Sequence, residues 1–270
     1  MAVLYRIGDI LYLVIFYIIG YRRPIVLTNL KTAFPEKSQT EIREIARQFY
    51  KRFMEFTLET LKALTISEKE LISRVKFTNV EDVEPYAYSQ QSILVLASHQ
   101  FNWEWALLAG CIELPFPVDA VYKRLNNTSF DRLMRSTRSR FGGKPIEKSN
   151  VLRTVLKSPD RLRALGIVAD QSPRKKSPKF WTHFLNRETA FFLGAEQIAK
   201  VAKYPVFFFQ VIRVKRGYYE VKLVKLAEPP YAKDDHEILE RYARATEELV
   251  GEDPAGYLWS HKRWKLKREE

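Results

Sequence analysis

The chain has 270 residues, enough for one large domain or two small ones with a proper buried core. Apolar residues make up 46% and charged residues 29%, which excludes a disordered tail and a polytopic membrane protein, and 10 Gly with 13 Pro are too few for a fibrous or linker-like chain. The single cysteine, Cys111, excludes an internal disulfide framework and a cysteine-rich metal site. The 45 Lys and Arg against 32 Asp and Glu leave a net charge of +13, which attracts a polyanion: nucleic acid, an anionic membrane surface, or an acidic or phosphorylated partner.

Aromatic residues are heavy, with 17 Phe, 14 Tyr and 5 Trp. Basic plus aromatic is the composition of an interfacial protein and of some RNA binders, and composition does not choose between them. The first element in chain order is the uncharged run Ile10 to Tyr21 (ILYLVIFYIIGY), bounded by Arg6 and Asp9 before it and by Arg22, Arg23 and Pro24 after it. It is short of the roughly 20 residues that span a bilayer, and no small-residue cleavage site follows it. Two readings stand, a buried core helix or a segment dipping into one leaflet. The Arg pair and the tyrosines favour the second, because both residue types sit well at headgroup level.

Glu41 to Leu64 reads as an amphipathic helix, with Ile42, Ile45, Phe49, Phe53, Phe56 and Leu64 at helical steps. Ser38 is its candidate N-cap, with Glu41 placed for a capping box. Ser92 to Ala97 (SILVLA) is a strand buried on both faces, and Phe101 to Gly110 a helix that Gly110 ends. Val118 to Tyr122 is a second strand, and Ser129 to Phe141 a helix closed by Gly142-Gly143. Leu165 to Ala169 is a third strand running into Asp170, and Ala195 to Ala202 is helical. Val206–Ile212 and Tyr218–Val224 form a hairpin around Lys215-Arg216-Gly217. Asp235 to Val250 is the last helix, followed by a basic tail from His261 to Arg268.

Strands alternating with helices predict an α/β fold with a mixed, largely parallel sheet and a terminal hairpin, in one domain. Within it, residues 1–25 form a membrane-associating segment, 38–66 the amphipathic helix, 92–225 the catalytic α/β core, and 235–270 the C-terminal helix and basic tail. Chemistry in such sheets gathers at the carboxyl ends of the strands. His99 follows the first core strand by two residues, and Asp170 follows the third directly.

A G-x-S-x-G elbow, a Walker loop, G-x-G-x-x-G and H-E-x-x-H are all absent, and the four histidines (His99, His183, His236, His261) are too scattered for a local metal motif. What remains is Ser98-His99-Gln100-Phe101-Asn102-Trp103-Glu104, an H-x4-E spacing after a strand. On one continuous helix the two side chains stand about 140° apart and do not meet. They meet if His99 sits in the turn before the helix and Glu104 in its first turns. Glu104 then accepts a hydrogen bond from one imidazole nitrogen and leaves the other as a base, suited to deprotonating a hydroxyl during acyl transfer. The bland alternative is a loop histidine bonded to backbone. Lys123, Arg124, Arg132, Arg135, Arg138, Arg140 and Lys144 form a basic segment opposed by Asp131 alone. It fits phosphate groups and developing oxyanions, or else a solvated helix face. Asp170-Gln171 fits a substrate hydroxyl, a helix cap, or an ion pair with Arg174.

These residues, in this order, resemble the bacterial lipid A biosynthesis acyltransferases, the lauroyl and myristoyl transferases of the lysophospholipid acyltransferase superfamily. Asn29-Leu30-Lys31-Thr32-Ala33-Phe34-Pro35-Glu36 resembles the family's N-L-x-x-x-F-P-E. His99 and Glu104 match its H-x4-E. Tyr122-Lys123-Arg124 with Asn127 is similar to Y-R-P-x-x-N, with Lys and Arg where the family has Arg and Pro. Arg138-Ser139-Arg140-Phe141-Gly142 resembles R-x-R-x-G, and Ala169-Asp170-Gln171 resembles P-D-Q, with Ala169 for Pro. Tyr257 to Lys265 resembles the closing Y-x-W-x-H-R-R-F-K.

The resemblance implies a mixed sheet wrapped by helices around a hydrophobic acyl channel. It implies transfer of a fatty acyl chain from an acyl carrier protein thioester to a hydroxyl of a lipid A precursor, without a cofactor, a metal or a covalent acyl-enzyme. His99 is then the general base and Glu104 its orienting partner. Arg124, Arg138 and Arg140 are candidates for sugar phosphate or oxyanion contacts, and Asp170 and Gln171 for the acceptor site. The implied setting is the cytoplasmic face of the bacterial inner membrane, where acidic carrier protein, phosphorylated acceptor and anionic leaflet all suit a +13 surface. Family members carry a further hydrophobic segment before the position of Val3-Leu4-Tyr5-Arg6. Either attachment here rests on Ile10–Tyr21 and basic patches, or the sequence starts late. Two other readings compete: an acyltransferase for another amphiphile (an aminolipid or a glycosylated phospholipid) using acyl-coenzyme A or acyl carrier protein, and a non-catalytic nucleic-acid binder. The motif match disfavours nucleic acid as a partner.

Overall fold

A computed structural model describes residues 1–268 of the chain, so the last two residues of the expected region 235–270 lie outside the described residues. The chain opens with helix α1 (Ala2–Leu13), which runs on through a π-helical stretch, Val14–Ile19, until Gly20 ends it in the left-handed conformation. Together, Ala2–Ile19 make an apolar helix of 18 residues that is only 11% buried. Val3 is 72% exposed and Ile18 78% exposed, and Ile7, Ile10 and Ile19 are exposed with them. A patch of this kind is unusual on a protein that meets only water. Helix α2 (Arg23–Ala33) has Pro24 in its first turn, where a missing N–H costs nothing. Helix α3 (Gln39–Lys62) carries the expected capping box. Glu41 N donates to Ser38 Oγ (3.3 Å), and Ser38 N donates to Glu41 Oε2 (2.8 Å).

The remaining elements, in order, are α4 (Glu68–Arg74), β1 (Val75–Phe77), α5 (Glu84–Tyr88), β2 (Ile93–Ala97), α6 (Trp103–Glu113), β3 (Val118–Tyr122), α7 (Thr128–Arg138), β4 (Lys144–Glu147), α8 (Val151–Lys157), β5 (Ala164–Val168), β6 (Lys179–Phe184), β7 (Arg187–Phe192), α9 (Gly194–Ala202), β8 (Val206–Lys215), β9 (Tyr218–Ala227) and α10 (Glu237–Glu252). The sheet has seven strands in the order β1-β9-β8-β2-β5-β3-β4. Strands β8, β2, β5, β3 and β4 pair in parallel; β8 and β9 form the antiparallel hairpin, and β1 runs parallel to β9. The fold is therefore α/β with a mostly parallel sheet flanked by helices, as the alternation of strand and helix predicts. Strands β6 and β7 make a separate hairpin.

Every residue of β2 is buried. Leu94 and Leu96 point into one core with Phe49, Leu165, Phe208 and Tyr242, and Ile93, Val95 and Ala97 point into the other with Trp105, Phe207 and Phe209. This two-sided burial is why the strand reads as an unbroken apolar run. Two helix ends differ from the sequence expectation, and the first is that of α7, which stops at Arg138, short of Phe141. Gly110 does not end α6, which continues to Glu113. A Cβ at Gly110 would meet side-chain atoms of Phe77 and Leu114 at 3.4 Å, so the glycine marks a tight approach of the helix to its neighbours.

Candidate active site

Strands β2 and β5 are neighbours, with Ala97 opposite Val168. Both chains continue two residues past that pair, and this register brings His99 and Asp170 side by side. His99 Nδ1 lies 2.6 Å from Asp170 Oδ1, and the His99 backbone N–H donates to Asp170 Oδ2 at 3.2 Å. The His99 carbonyl accepts from Leu258 N at 3.1 Å, which fixes the turn against the C-terminal segment. Asp170 is 1% exposed. Burial alone raises a carboxyl pKa. The charge of His99, the two bonds from it and the Tyr257 hydroxyl outweigh burial and hold Asp170 down at about 2. An ionised Asp170 accepts Nδ1–H, so the lone pair of the neutral ring sits on Nε2. The Gln171 amide nitrogen stands 3.0 Å from that Nε2, and the Trp103 ring packs edge-on to the imidazole at 4.9 Å.

Glu104 does not meet the imidazole, contrary to the pairing inferred from the H-x4-E spacing. Its carboxylate, in the first turn of α6, faces the last turn of α7. Arg138 Nε donates to Oε2 at 2.9 Å and Arg138 Nη2 donates to Oε1. Trp103 Nε1 adds a bond to Oε1 at 3.2 Å. The orienting position on His99 is taken by Asp170 from the adjacent strand. Asp170 itself is too buried, and too fully bonded to His99, to touch an acceptor as the sequence reading had it. Arg140 also departs from expectation, since it does not line the site cavity. Its guanidinium donates to the carbonyls of Ala63 and Ile66 (2.8 Å for the latter), where the end of α3 leaves carbonyls without helical partners. Arg124, by contrast, lies at the cavity with its side chain exposed, and Arg138 and Gln171 line it as well.

His99 lines a cavity with a volume of about 1140 Å³. That lies at or beyond the top of the roughly 300–1,000 Å³ usual for small-molecule sites. Much of its lining is apolar, including the carboxyl ends of β2, β3 and β5 (Ala97, Val121, Val168), Leu107 of α6, Leu114 just after that helix, and Phe56 of α3. Exposed cations line it too: Lys123, Arg124, Lys148, Arg174 and Lys265. Burial, with the charges of Arg174 and Lys123, pushes Lys148 below the usual lysine range. His261 is also at the cavity, and its Nε2 accepts from Ser172 N at 3.3 Å. Burial lowers its pKa to about 4, so this second imidazole stays neutral.

The quoted N-terminal and C-terminal motifs meet beside the site. The buried amide of Asn29 donates to the carbonyls of Trp259 (2.7 Å) and His261 (2.8 Å), and Phe34 packs edge-on against Trp259. Sequence reasoning missed the role of Asp170 as the partner of His99, and it missed Lys148 and Arg174 as cavity residues. The available signal for the first was position: both residues follow apolar strands at the same end of the sheet.

The class the structure defines is an α/β protein with a histidine held by a buried aspartate in the wall of a large, mostly apolar cavity that exposed cations also line. Residues 1–266 match the model of the family described as bacterial lipid A biosynthesis acyltransferase, and the chain belongs to that family of enzymes transferring acyl groups. It is similar to the lipid A biosynthesis acyltransferase of Haemophilus influenzae, at 24% identity over 86% of this chain and 72% of the relative. It is also similar to the lipid A biosynthesis lauroyltransferase of Escherichia coli K12, at 23% identity over 99% of this chain and 87% of the relative.

Proposed function

We propose that the protein moves a fatty acyl chain from an acyl carrier protein thioester to a hydroxyl of a lipid A precursor, at the cytoplasmic face of the inner membrane. The observation that carries this reading is the His99–Asp170 pair standing where an apolar cavity meets a cluster of cations. The acyl chain occupies the apolar interior. The acceptor hydroxyl approaches His99 Nε2, displacing the Gln171 amide, and gives its proton to that nitrogen as its oxygen attacks the thioester carbonyl carbon. The carbon–sulfur bond then breaks, and the imidazolium returns the proton to the departing sulfur. Asp170 holds the productive tautomer and stabilises the imidazolium.

Glu104 acts on Arg138 instead of on His99. It takes two of the five guanidinium N–H groups and fixes the fork in the cavity wall, leaving the others for the carbonyl oxygen as it gains charge. Lys123, Arg124, Lys148 and Arg174 supply charge for phosphate on the acceptor or donor. The exposed apolar α1 and the +13 charge support attachment to an anionic leaflet.

Mass spectrometry of membrane lipids from a strain lacking the gene tests the reading. Lipid A one acyl group short of wild type is the expected result. Unchanged lipid A beside an altered aminolipid or glycosylated phospholipid would overturn the acceptor assignment.

A further inference from the structure

Glu59 lies in the last turn of α3, 0% exposed and outside the cavity wall. A buried carboxyl is unfavourable unless donors surround it. Three donors do so here. Tyr5 Oη donates to Oε1 at 2.7 Å, Asn102 Nδ2 donates to Oε2 at 2.8 Å, and Tyr219 Oη donates to Oε2 at 2.7 Å. The Glu59 carbonyl receives a fourth bond, from Trp105 Nε1 at 2.7 Å. The donors belong to parts of the chain far apart in sequence: α1, the turn that precedes α6, and β9.

Asn102 belongs to the turn that carries His99, three residues on. Its Oδ1 caps α6 by accepting from Trp105 N at 3.1 Å, while its amide nitrogen goes to Glu59. The other side of the turn is held by the C-terminal segment, through Phe101 N to the Gly256 carbonyl (3.0 Å) and Leu258 N to the His99 carbonyl. Glu59 is thus the anchor on the side facing α1. Tyr5 is placed with equal care. Gly217, at φ +72, lets the hairpin turn close on the tyrosine, since a Cβ there would come within 1.9 Å of the Tyr5 hydroxyl. Arg216 from the same turn reaches both carboxylate oxygens of Asp9, at 2.7 and 3.0 Å. These contacts fix α1 lengthwise against the hairpin and present its hydroxyl to Glu59.

We propose that Glu59 is a positioning residue that joins the lipid-facing helix α1 to the turn carrying His99, so that the imidazole stands in its working place only when α1 is seated. The inference rests on the reading of His99 as the base. It needs no new chemistry, because Glu59 touches neither cavity nor substrate. Misplacing a catalytic group by a fraction of an ångström costs rate while leaving the substrate-binding surface as it was.

The test uses the full-length protein in lipid vesicles, with labelled acyl chain presented as its acyl carrier protein thioester and a lipid A precursor as acceptor. Folded protein is counted by cooperative thermal unfolding, so that kcat is expressed per folded molecule. Glu59→Gln places an amide donor among the three donors, and Tyr5→Phe removes one donor without changing shape. Expected are losses in kcat of roughly tenfold or more for Glu59→Gln and roughly threefold or more for Tyr5→Phe, with KM for the thioester within about twofold of wild type. The double exchange Glu59→Gln with Asn102→Asp reverses donor and acceptor and keeps the helix cap, so it restores kcat to within about threefold. Wild-type kcat per folded molecule in both single variants, with only the melting temperature lowered, overturns the positioning role. If His99→Ala is inactive under the same conditions, that outcome leaves the proposed reaction standing. If His99→Ala is fully active, the proposed reaction fails first.

Discussion

At the scale of single residues, the site is a division of labour between two acids 66 positions apart in the sequence. Asp170 reaches His99 across neighbouring strands, and Glu104 reaches Arg138 across neighbouring helices. The two residues of the H-x4-E spacing both line the cavity, but they do not pair with each other. Spacing along the chain says nothing of which strand lies beside β2, and the crossover places β5 there. Two of the shifted titrations at the site predict an acid limb of stability. His261 is held at about 4 when folded, chiefly by burial, against an ordinary value near 6.5 when unfolded. Between those values the unfolded chain binds the proton and the folded one does not. Stability is therefore full above about pH 6.5 and falls as pH drops toward 4. Asp170, lowered to about 2, extends the loss below its ordinary value of 3.8. Urea midpoints measured at pH 7.5 and pH 5 should fall at the lower pH in wild type and fall less in His261→Gln. Equal drops in the two proteins would remove the histidine from the explanation.

At the scale of elements, α1 carries the boldest expectation. Its outward side chains gain from burial in lipid what core residues gain from burial in protein, up to about 1.5–3 kcal/mol each. Changing Ile10 and Ile18 to Ser should therefore weaken sedimentation with anionic vesicles by at least about tenfold, with thermal stability nearly unchanged because both side chains are exposed. Undiminished sedimentation would show that α1 is not the lipid contact. Legibility varied among elements for physical reasons. The two-sided burial of β2 left an apolar run, and the cap of α3 left a Ser-x-x-Glu, so both could be read from sequence. Strand β4 was missed because Pro145 argues against a strand interior; it proves to be the sheet edge, where a missing N–H is tolerated. The β6–β7 hairpin was missed because Lys179–Phe184 mixes charge, Thr and His and is half-buried along most of its length, without alternation, and because Leu185 and Asn186 form its turn at positive φ in place of a glycine.

At the scale of the whole molecule, one polarity organises the parts. The sheet gathers its parallel strand ends at the cavity, exposed basic residues line it, and α1 lies exposed with its Tyr5 hydroxyl bonded to Glu59, which in turn accepts from Asn102 in the turn beside the site. The first and last of the family motifs legible in the sequence meet beside the site, where Asn29 braces the Trp259 carbonyl. What the sequence alone could not supply was the sheet order and hence the pairing of His99 with Asp170. The central claim is that this pair acts as a base on a lipid hydroxyl. It is tested most directly by comparing acyl transfer from acyl carrier protein thioester to a lipid A precursor in wild type, His99→Ala and Asp170→Asn, each shown folded. The account predicts losses of about 10³-fold or more in both variants, in line with the roughly 10⁴-fold loss when a triad aspartate is made an amide. Wild-type rates in either variant would contradict it.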